Sequence, residues 1–425
     1  MTLLIGQAFE KLFGPDVPIR FTAYDGSSAG NPHADIHFRL LNERGLRYIA
    51  TAPGSLGLAR AYVQGDLAIE GGDEANPYPL LKLLEDEVSL QRPSVRELPE
   101  LAGMLGWKVI QPPELPPQES PPQWLRLVNG LRHTRSRDAR AISHHYDVSN
   151  AFYEMLLGPS MTYTCACYPT ADASLEEAQA AKYDLVCRKL DLRPGMRLLD
   201  VGCGWGGMVR HAVKHYGVTA LGVTLSEQQA AWAGKAIAEE GLSGAAEVRH
   251  SDYRNVREVG FDAVSSIGLT EHIGVKNYPA YFRFLRSRLR DGGRLLNHSI
   301  TRPDNRHPGI PRAGFINRYV FPDGELTGSG TLVSVMQDEG LEVRHEENLR
   351  EHYAMTCRDW VRNLSANWDQ AVAEVGLGTA RVWALYLAGS QLSFERNRIQ
   401  LHQVLGVNVG PDGDARMPLR PTWGS

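Results

Sequence analysis

Two stretches of the sequence most directly suggest a functional site. In each of them an apolar segment ends in glycines or charged side chains. LLDVGCGWGG runs from a short apolar segment into Gly202, Gly204 and Gly207, and SSIGLTEHIG contains a carboxylate beside an imidazole, Glu271 and His272. Glycines after a strand let a ligand approach the backbone closely, and a carboxylate or an imidazole can move protons. The sequence therefore predicts a bound ligand and acid–base chemistry.

The glycine loop matches the GxGxxG pattern, so a nicotinamide-dependent dehydrogenase is the first alternative. That class requires an acidic residue at the end of the second strand to bind ribose, and here VTALGVTL carries Thr224 instead. Asp200 before the loop and Trp205 within it suit S-adenosylmethionine, whose ammonium can pair with a carboxylate and which has no pyrophosphate. A third interpretation is a purely structural strand-to-helix turn.

Strand-like and helix-like segments alternate around these residues. SLEEAQAAKYDLVCRKL, with Ser174 and Glu177 at capping-box spacing, and GMVRHAVKHYG are predicted helices. VTALGVTL, FDAVSSIG and GRLLNHSI are predicted strands. This order predicts an α/β fold with a doubly wound parallel sheet and ligands at the carboxyl ends of its strands. If the strand continued through Glu271, its neighbour His272 would point to the opposite side.

A proline-rich stretch divides the chain. QPPELPPQESPPQW, residues 111–124, favours an extended linker. Residues 1–110 contain the strand-like segments IRFTAYDG, DIHFRLLN and LRYIATA and the helical YPLLKLLEDEVSL, so we predict a small α+β domain that docks on or presents lipid. Residues 125–425 form the second predicted domain and contain the motifs described above.

Composition argues against several classes of protein. The 425 residues carry a net charge of -4, which argues against a nucleic-acid partner. Five cysteines without CxxC spacing indicate neither a disulfide framework nor a metal site, and we expect a cytoplasmic protein. There is no signal peptide and no apolar run near about 20 residues, so membrane contact is expected to be peripheral.

Several motifs together resemble those of cyclopropane fatty acid synthases and mycolic acid cyclopropane synthases. HYDVSNAFYEMLLGPSMTYTCACY, LLDVGCGWGG, GVTLSEQQ, SSIGLTEHIGVKNYPAYF, LLNHSI, YVFPDGEL and QLSFERNRIQLHQ occur in that family's order and spacing. The N-terminal IRFTAYDGSSAG resembles the actinobacterial branch that makes 10-methyl(ene) fatty acids. The resemblance implies a class I S-adenosylmethionine-dependent methyltransferase fold with an acyl-chain pocket in residues 125–425. It further implies methyl transfer to the cis double bond of an unsaturated phospholipid chain through a carbocation.

The resemblance also implies the site residues. A bicarbonate ion is expected to act as the base, held by Glu271, His298, Tyr319 and the backbone near Cys165. The expected cofactor contacts are Tyr163, Thr164, Asp200, Gly202, Gly204, Thr224, Leu225, Gln229, Asp252, Tyr253 and Ile267. The structural alternatives are a first-turn carboxylate for Glu271, a core histidine for His298 and simple packing for Tyr319 and Cys165.

Two positions depart from the family pattern and bear on the product. Ser390 stands where the family has a cysteine, and Thr270 where it has a phenylalanine. Two small hydroxyls near the acyl pocket favour a methylene product, which a separate reductase would convert to a methyl branch. The alternative on the same substrate is a cyclopropane ring, and a noncatalytic lipid-transfer protein is the other open class.

The expected location is the cytoplasmic, inner face of the membrane, with peripheral contact. Arg132, Arg135 and Arg137 in LRHTRSRDAR are candidates for contacting anionic head groups, the alternative being a solvated helix face. A homodimer is a further expected assembly.

Overall fold

The computed structural model describes residues 5–14, 16–52, 54–88, 109, 111–119, 148–306, 314–321 and 324–423. The chain divides into two compact units. The first unit comprises residues 1–121, 311–322 and 364–392, and the second unit comprises residues 122–310, 323–363 and 393–425. The predicted linker at 111–124 includes the chain boundary at residues 121 and 122 between the first segment of the first unit and the second unit, and the two domains proposed from it stay a prediction.

The N-terminal part of the first unit is a small sheet with helices. Its helices are α1 (Ile5–Phe13), α2 (Glu43–Thr51), α3 (Ser55–Val63) and α4 (Tyr78–Glu87), and its strands are β1 (Arg20–Ala23), β2 (Ser28–Gly30), β3 (His37–Leu40) and β4 (Leu67–Glu70). The strand order is β2-β1-β3-β4, with β1 and β3 parallel and the outer pairs antiparallel. Phe21, Phe38 and Leu40 are buried between sheet and helices, as alternation in β1 and β3 predicts.

One predicted strand in this unit is wrong. LRYIATA lies in helix α2, which begins after Asn42, whose side chain accepts a hydrogen bond from the backbone N–H of Gly45. Leu46 and Ile49, three residues apart, then pack into the same core. An N-cap and a helical spacing therefore outweigh the strand-like composition of the segment.

The second unit contains a seven-stranded sheet. Its strands are β5 (Arg197–Val201), β6 (Thr219–Thr224), β7 (Ala246–His250), β8 (Phe261–Ile267), β9 (Leu289–Thr301), β10 (Glu342–Asn348) and β11 (Gln400–Asn408). Its helices are α5 (Asn150–Leu157), α6 (Leu175–Leu190), α7 (Gly207–Tyr216), α8 (Glu227–Glu239), α9 (Thr270–Ile273), α10 (Tyr278–Arg288), α11 (Ser329–Asp338) and α12 (Arg350–Ala366), the last of which ends in the first unit. Helices α13 (Trp368–Val375) and α14 (Leu377–Glu395) follow, largely in the first unit.

The strand order of the large sheet is β10-β11-β9-β8-β5-β6-β7. Strands β7, β6, β5, β8 and β9 are parallel, as predicted, whereas β11 is antiparallel to β9 and β10 is antiparallel to β11. The sheet is therefore mixed. Its antiparallel edge consists of β11 and β10, whose directions apolar periodicity alone does not predict.

Helices cover both faces of this sheet. Leu198 of β5 packs with Val186 and Val209 on one face, and its neighbour Leu199 packs with Phe282 on the other. The predicted capping box of α6 is present, since Ser174 and Glu177 exchange hydrogen bonds. Both observations agree with a doubly wound sheet whose ligand site lies at the carboxyl ends of its parallel strands.

Across the parts of the chain that the structure describes, no helix combines the length and apolar character that a membrane span needs. Arg132, Arg135 and Arg137 lie outside the described residues.

Candidate active site

The glycine loop leaves the carboxyl end of β5. Gly202 and Gly204 both have positive φ, 76° and 53°, and the N–H of Gly202 donates to the carbonyl of Val223 at 2.9 Å. A Cβ on Gly202 would come within 3.1 Å of the Leu269 side chain, whereas one on Gly204 would meet no atom within 4 Å. Open space therefore faces the backbone of Gly204, as close approach by a ligand requires.

Asp200 is buried near the carboxyl end of β5 and belongs to a polar cluster. Its carboxylate accepts a 2.6 Å hydrogen bond from the Ser265 hydroxyl, and burial raises its pKa to about 6, although Ser265 and Lys182 act in the opposite direction. Lys182 is fully buried, and its Nζ donates to the Thr164 hydroxyl at 3.1 Å. Burial lowers the pKa of Lys182 to about 7. This cluster can supply negative charge to a ligand cation beside the glycine loop.

The end of β6 carries a second polar group. The Thr224 hydroxyl donates to Oε1 of Gln229 at 2.8 Å, and both side chains are buried. Ser226 caps helix α8 by accepting from the Gln229 N–H. The carbonyl of Leu225 lies 3.2 Å from the His250 ring. The three predicted cofactor contacts on this segment are thus held together at the end of β6.

The segment after β7 is held by an internal ion pair. Asp252 accepts hydrogen bonds from the backbone and guanidinium of Arg254, the closest at 2.6 Å. The Tyr253 ring makes edge-to-face contacts with Tyr281 and Phe284, with ring centroids 5.2 and 5.3 Å apart. Tyr253 therefore has an aromatic packing role, and a cofactor contact by it or by Asp252 stays a prediction.

Strand β8 ends at Ile267, a buried core residue, and the chain then turns. Thr270–Ile273 forms one helical turn, so the strand alternation used to orient His272 does not apply. Glu271 is buried in this turn, and its Oε1 accepts a 2.6 Å hydrogen bond from the Ile300 N–H. Within the described structure its Oε2 has no partner. Burial raises the pKa of Glu271 to about 7.

His298 lies on β9, beside the end of β8, where its carbonyl accepts from the Gly268 N–H at 2.8 Å. Its Nδ1 is 3.1 Å from Nε2 of Gln403. Its Nε2 is buried and finds no partner among the described residues. Burial, with Lys182 and Lys189 nearby, lowers the pKa of His298 well below its ordinary value, so the ring is neutral.

Glu271 and His298 thus contribute two buried polar atoms without partners from neighbouring strand ends. A buried donor or acceptor left unpaired costs about 1–3 kcal/mol. Such groups are typical of sites that a ligand completes. The structure therefore brings together two of the four predicted catalytic residues around unsatisfied polar atoms.

Cys165 and its neighbours lie against the same strand end. The buried Cys165 thiol lies 3.1 Å from the Ala166 carbonyl, and burial raises its pKa well above the ordinary value, so it stays protonated. A Cβ on Gly268 would lie 3.1 Å from the Thr164 side chain, and the Tyr163 ring is 5.3 Å from that of Trp360. The segment 163–165 therefore borders the end of β8.

Thr270 is fully buried, and its hydroxyl donates to Oδ1 of Asn297 at 2.5 Å. Tyr319 belongs to the first unit, in a π-helical turn over Ile316–Val320, where burial and Glu119 raise its pKa. Ser390 lies in α14, also in the first unit. Their roles in catalysis and in the acyl pocket stay predictions.

Three residues near the site were not identified from the sequence. Lys182 and Lys189, seven residues apart on α6, are fully buried. Both lie on the apolar stripe of the helix, and this position is the sequence feature that could have identified them. Gln403 contacts His298.

The raised pKa of Glu271 predicts a pH-dependent stability difference. As pH rises from about 4.5 to 7, an unfolded chain loses this proton before the folded chain does, so the carboxyl's contribution to the free energy of unfolding falls by about 3 kcal/mol. Glu271→Gln removes that titration. Its melting temperature relative to the parent should therefore rise with pH across this window, as measured by thermal unfolding in a series of buffers.

Glu247→Gln is the control for this measurement, because Arg249 holds the pKa of that carboxyl below its ordinary value. Its melting temperature should not rise relative to the parent across the same window. A Glu271→Gln difference that stays constant with pH would contradict the prediction.

The large sheet, the glycine loop after β5 and the buried acid before it define a class I S-adenosylmethionine-dependent methyltransferase. The family model described as mycolic acid cyclopropane synthetase matches residues 133–404, and the chain belongs to that family. The predicted family, fold class and enzyme class are confirmed. The cofactor of the enzyme is accordingly S-adenosylmethionine and not a nicotinamide, and its contact with the glycine loop stays a prediction.

Similar proteins agree with this assignment. The chain is 61% identical over 406 residues to the probable fatty acid methyltransferase Rv3720 of Mycobacterium tuberculosis, covering 96% of this chain and 95% of that protein. It is 37% identical over 409 residues to a probable fatty acid methyltransferase of Pseudomonas putida, covering 95% of each. The solved cyclopropane synthase MmaA2 of Mycobacterium tuberculosis is similar at a TM-score of 0.59 and 31% identity, over 65% of this chain and 99% of that one.

Proposed function

We propose that this enzyme methylates the cis double bond of an oleoyl-type chain in a phospholipid and produces a 10-methylene chain. The observation that carries the proposal is the pair of unpartnered buried atoms, Glu271 Oε2 and His298 Nε2. The two relatives named as probable fatty acid methyltransferases support an acyl substrate. When bound, S-adenosylmethionine supplies an electrophilic methyl group. Asp200, Gly202 and Gly204 would hold it. The buried Asp200 carboxylate suits its ammonium group, and the open space at the Gly204 backbone allows its close approach.

The reaction makes three demands on the protein. An olefin is a weak nucleophile, so the double bond must be held in line with the methyl group. The resulting cation on the chain must be kept from water, and Glu271 and His298 are 9% and 1% exposed. A base must finally remove a proton.

We propose a bicarbonate ion between Glu271 and His298 as this base. A carboxyl with a pKa near 7 is partly protonated at neutral pH and can then donate a hydrogen bond to an anion. The neutral His298 ring can donate a second one. This pairing accounts for a carboxyl group facing an anion without repulsion.

The product depends on whether the proton leaves the new methyl group before or after a hydride shift. Methyl addition at C10 leaves the cation at C9, and a hydride shift from C10 to C9 moves it to C10. Loss of a proton from the new methyl group then gives an exocyclic methylene, whereas proton loss before the shift closes a cyclopropane. The small side chains Thr270 and Ser390 support the methylene course, and the ring remains the alternative.

Incubation with oleoyl phospholipid and methyl-labelled donor should add one CH2 unit to the acyl chain, with a methylene at C10. Ozonolysis followed by mass spectrometry should convert that product to a ketone, because ozone cleaves an alkene and leaves a cyclopropane intact. Stearoyl phospholipid, which has no double bond, is the control and should take up no label. An ozone-resistant product would instead support cyclopropane synthesis, and lipid binding without donor consumption would indicate lipid transfer.

We further propose that the enzyme docks peripherally on the cytoplasmic face of the membrane, because its substrate lies in a bilayer. Basic residues would contact anionic head groups, so binding to anionic vesicles should weaken with salt. A separate hydride-donating reductase would convert the methylene to a methyl branch.

A further inference from the structure

Strands β10, β11 and β9 place three polar side chains in one row across the sheet. Glu347 is the register partner of Gln403, and Gln403 is the register partner of His298. Directly opposed residues on neighbouring strands project from the same face. The row therefore leads from the edge of the sheet to the predicted catalytic histidine.

Lys189 from helix α6 reaches this row. Its Nζ donates to Oε1 of Gln403 at 2.7 Å and forms an ion pair with Glu347. Lys189 is fully buried, and Gln403 is fully buried as well. The N–H groups of a buried ammonium need hydrogen-bond acceptors, since burying an unsatisfied charge costs free energy.

The ammonium of Lys189 fixes which way the Gln403 amide points. With Oε1 on the lysine, the NH2 group faces Nδ1 of His298 at 3.1 Å. Flipping the amide would point its N–H groups at the Lys189 ammonium, which is itself a donor. It would also turn the amide oxygen towards the His298 ring. Because Nε2 of Gln403 can only donate, Nδ1 of His298 must accept. A neutral imidazole then carries its proton on Nε2.

We infer that Lys189 and Gln403 are positioning residues that hold His298 in the Nε2–H tautomer, so that it donates a hydrogen bond to an acceptor oxygen of the bound ligand. This deepens the proposed function and rests on it. The atom that would donate, Nε2, is buried without a partner in the described structure. His298 accordingly orients the proton-accepting group and does not itself remove the proton.

The test is Gln403→Glu, which keeps the side-chain size but replaces the amide donor by a second acceptor. Its carboxylate would accept from Lys189 and from His298 Nδ1–H, which moves the ring proton to Nδ1. Histidine labelled with ¹⁵N reports the tautomer by two-bond nitrogen–proton correlation, and the His298 signal is assigned by its loss in His298→Gln. We expect Nε2–H in the parent and Nδ1–H in Gln403→Glu. Turnover should fall at least about tenfold, since a wrong tautomer disables a histidine that acts at one nitrogen, while donor affinity stays within about twofold.

Gln400→Glu is the matched control on the same strand, where Gln400 contacts Asn397 and not His298. It should leave the His298 tautomer and turnover unchanged. Lys189→Met is the second variant, which frees the amide to rotate and should give a mixture of tautomers in place of one. Nδ1–H in the parent, or an unchanged tautomer in Gln403→Glu, would overturn the inference.

The tautomer measurement needs no lipid. A parent enzyme that shows Nε2–H but transfers no methyl group to acyl chains would therefore overturn the proposed function and leave the Lys189–Gln403–His298 relation standing.

Discussion

Replacing Glu271 by glutamine is expected to lower methyl-transfer turnover by at least about 100-fold while leaving donor affinity within about twofold. Glu271 presents an unpartnered oxygen at the end of β8, whereas the open glycine loop lies at the end of β5. An amide of the same size can keep the hydrogen bond from Ile300, but its N–H replaces the acidic O–H whose short, strong hydrogen bond would hold the bicarbonate. Single-turnover transfer of labelled methyl and calorimetric donor binding measure the two quantities separately.

His298→Ala should behave similarly, because it removes the second group that we propose holds the base. Glu247→Gln, an exposed carboxylate paired with Arg249 on β7, should keep parental turnover. Near-parental rates in Glu271→Gln or His298→Ala would show that the base is held elsewhere.

Asp200→Asn is expected to weaken donor binding by about 10- to 100-fold, the value of one charge-assisted hydrogen bond of about 1.5–3 kcal/mol. The buried Asp200 carboxylate precedes the glycine loop and would supply the negative charge that the donor's ammonium requires. Asparagine keeps the size of the side chain and one acceptor for Ser265. Calorimetric titration with S-adenosylmethionine or its product gives the affinity directly.

Asp262→Asn is the matched control. Asp262 lies at the amino end of β8, the opposite edge of the sheet, where it pairs with Arg290. This variant should bind the donor with parental affinity. An unchanged affinity in Asp200→Asn, in protein whose circular dichroism is native, would remove Asp200 from the cofactor site.

Motif matching selected Tyr319 by residue type and spacing, and the structure places Tyr319 in the first unit. Its catalytic role stays a prediction. A motif assigns a residue type at a spacing, but it carries no information on which compact unit contains the residue.

The sequence alone determined the features that depend on neighbouring residues. Apolar periodicity located the strands that become β5, β6, β8 and β9, the spacing of Ser174 and Glu177 located the start of α6, and the glycines located the ligand loop. These signals are local, because propensity, capping and turn chemistry involve residues a few positions apart. The same local reasoning failed for LRYIATA, where the Asn42 cap and helical packing prevailed.

Only the tertiary structure decided the chemical state of the site. The pKa of Glu271 rises because folding buries it. His298 contacts Gln403, 105 residues away, and Gln403 in turn contacts Lys189, 214 residues from it. Desolvation and cross-strand register arise from segments that are distant in the chain. No local pattern records which distant side chain will lie opposite a given atom, and so the sequence predicted candidate catalytic residues but not the buried groups that contact them.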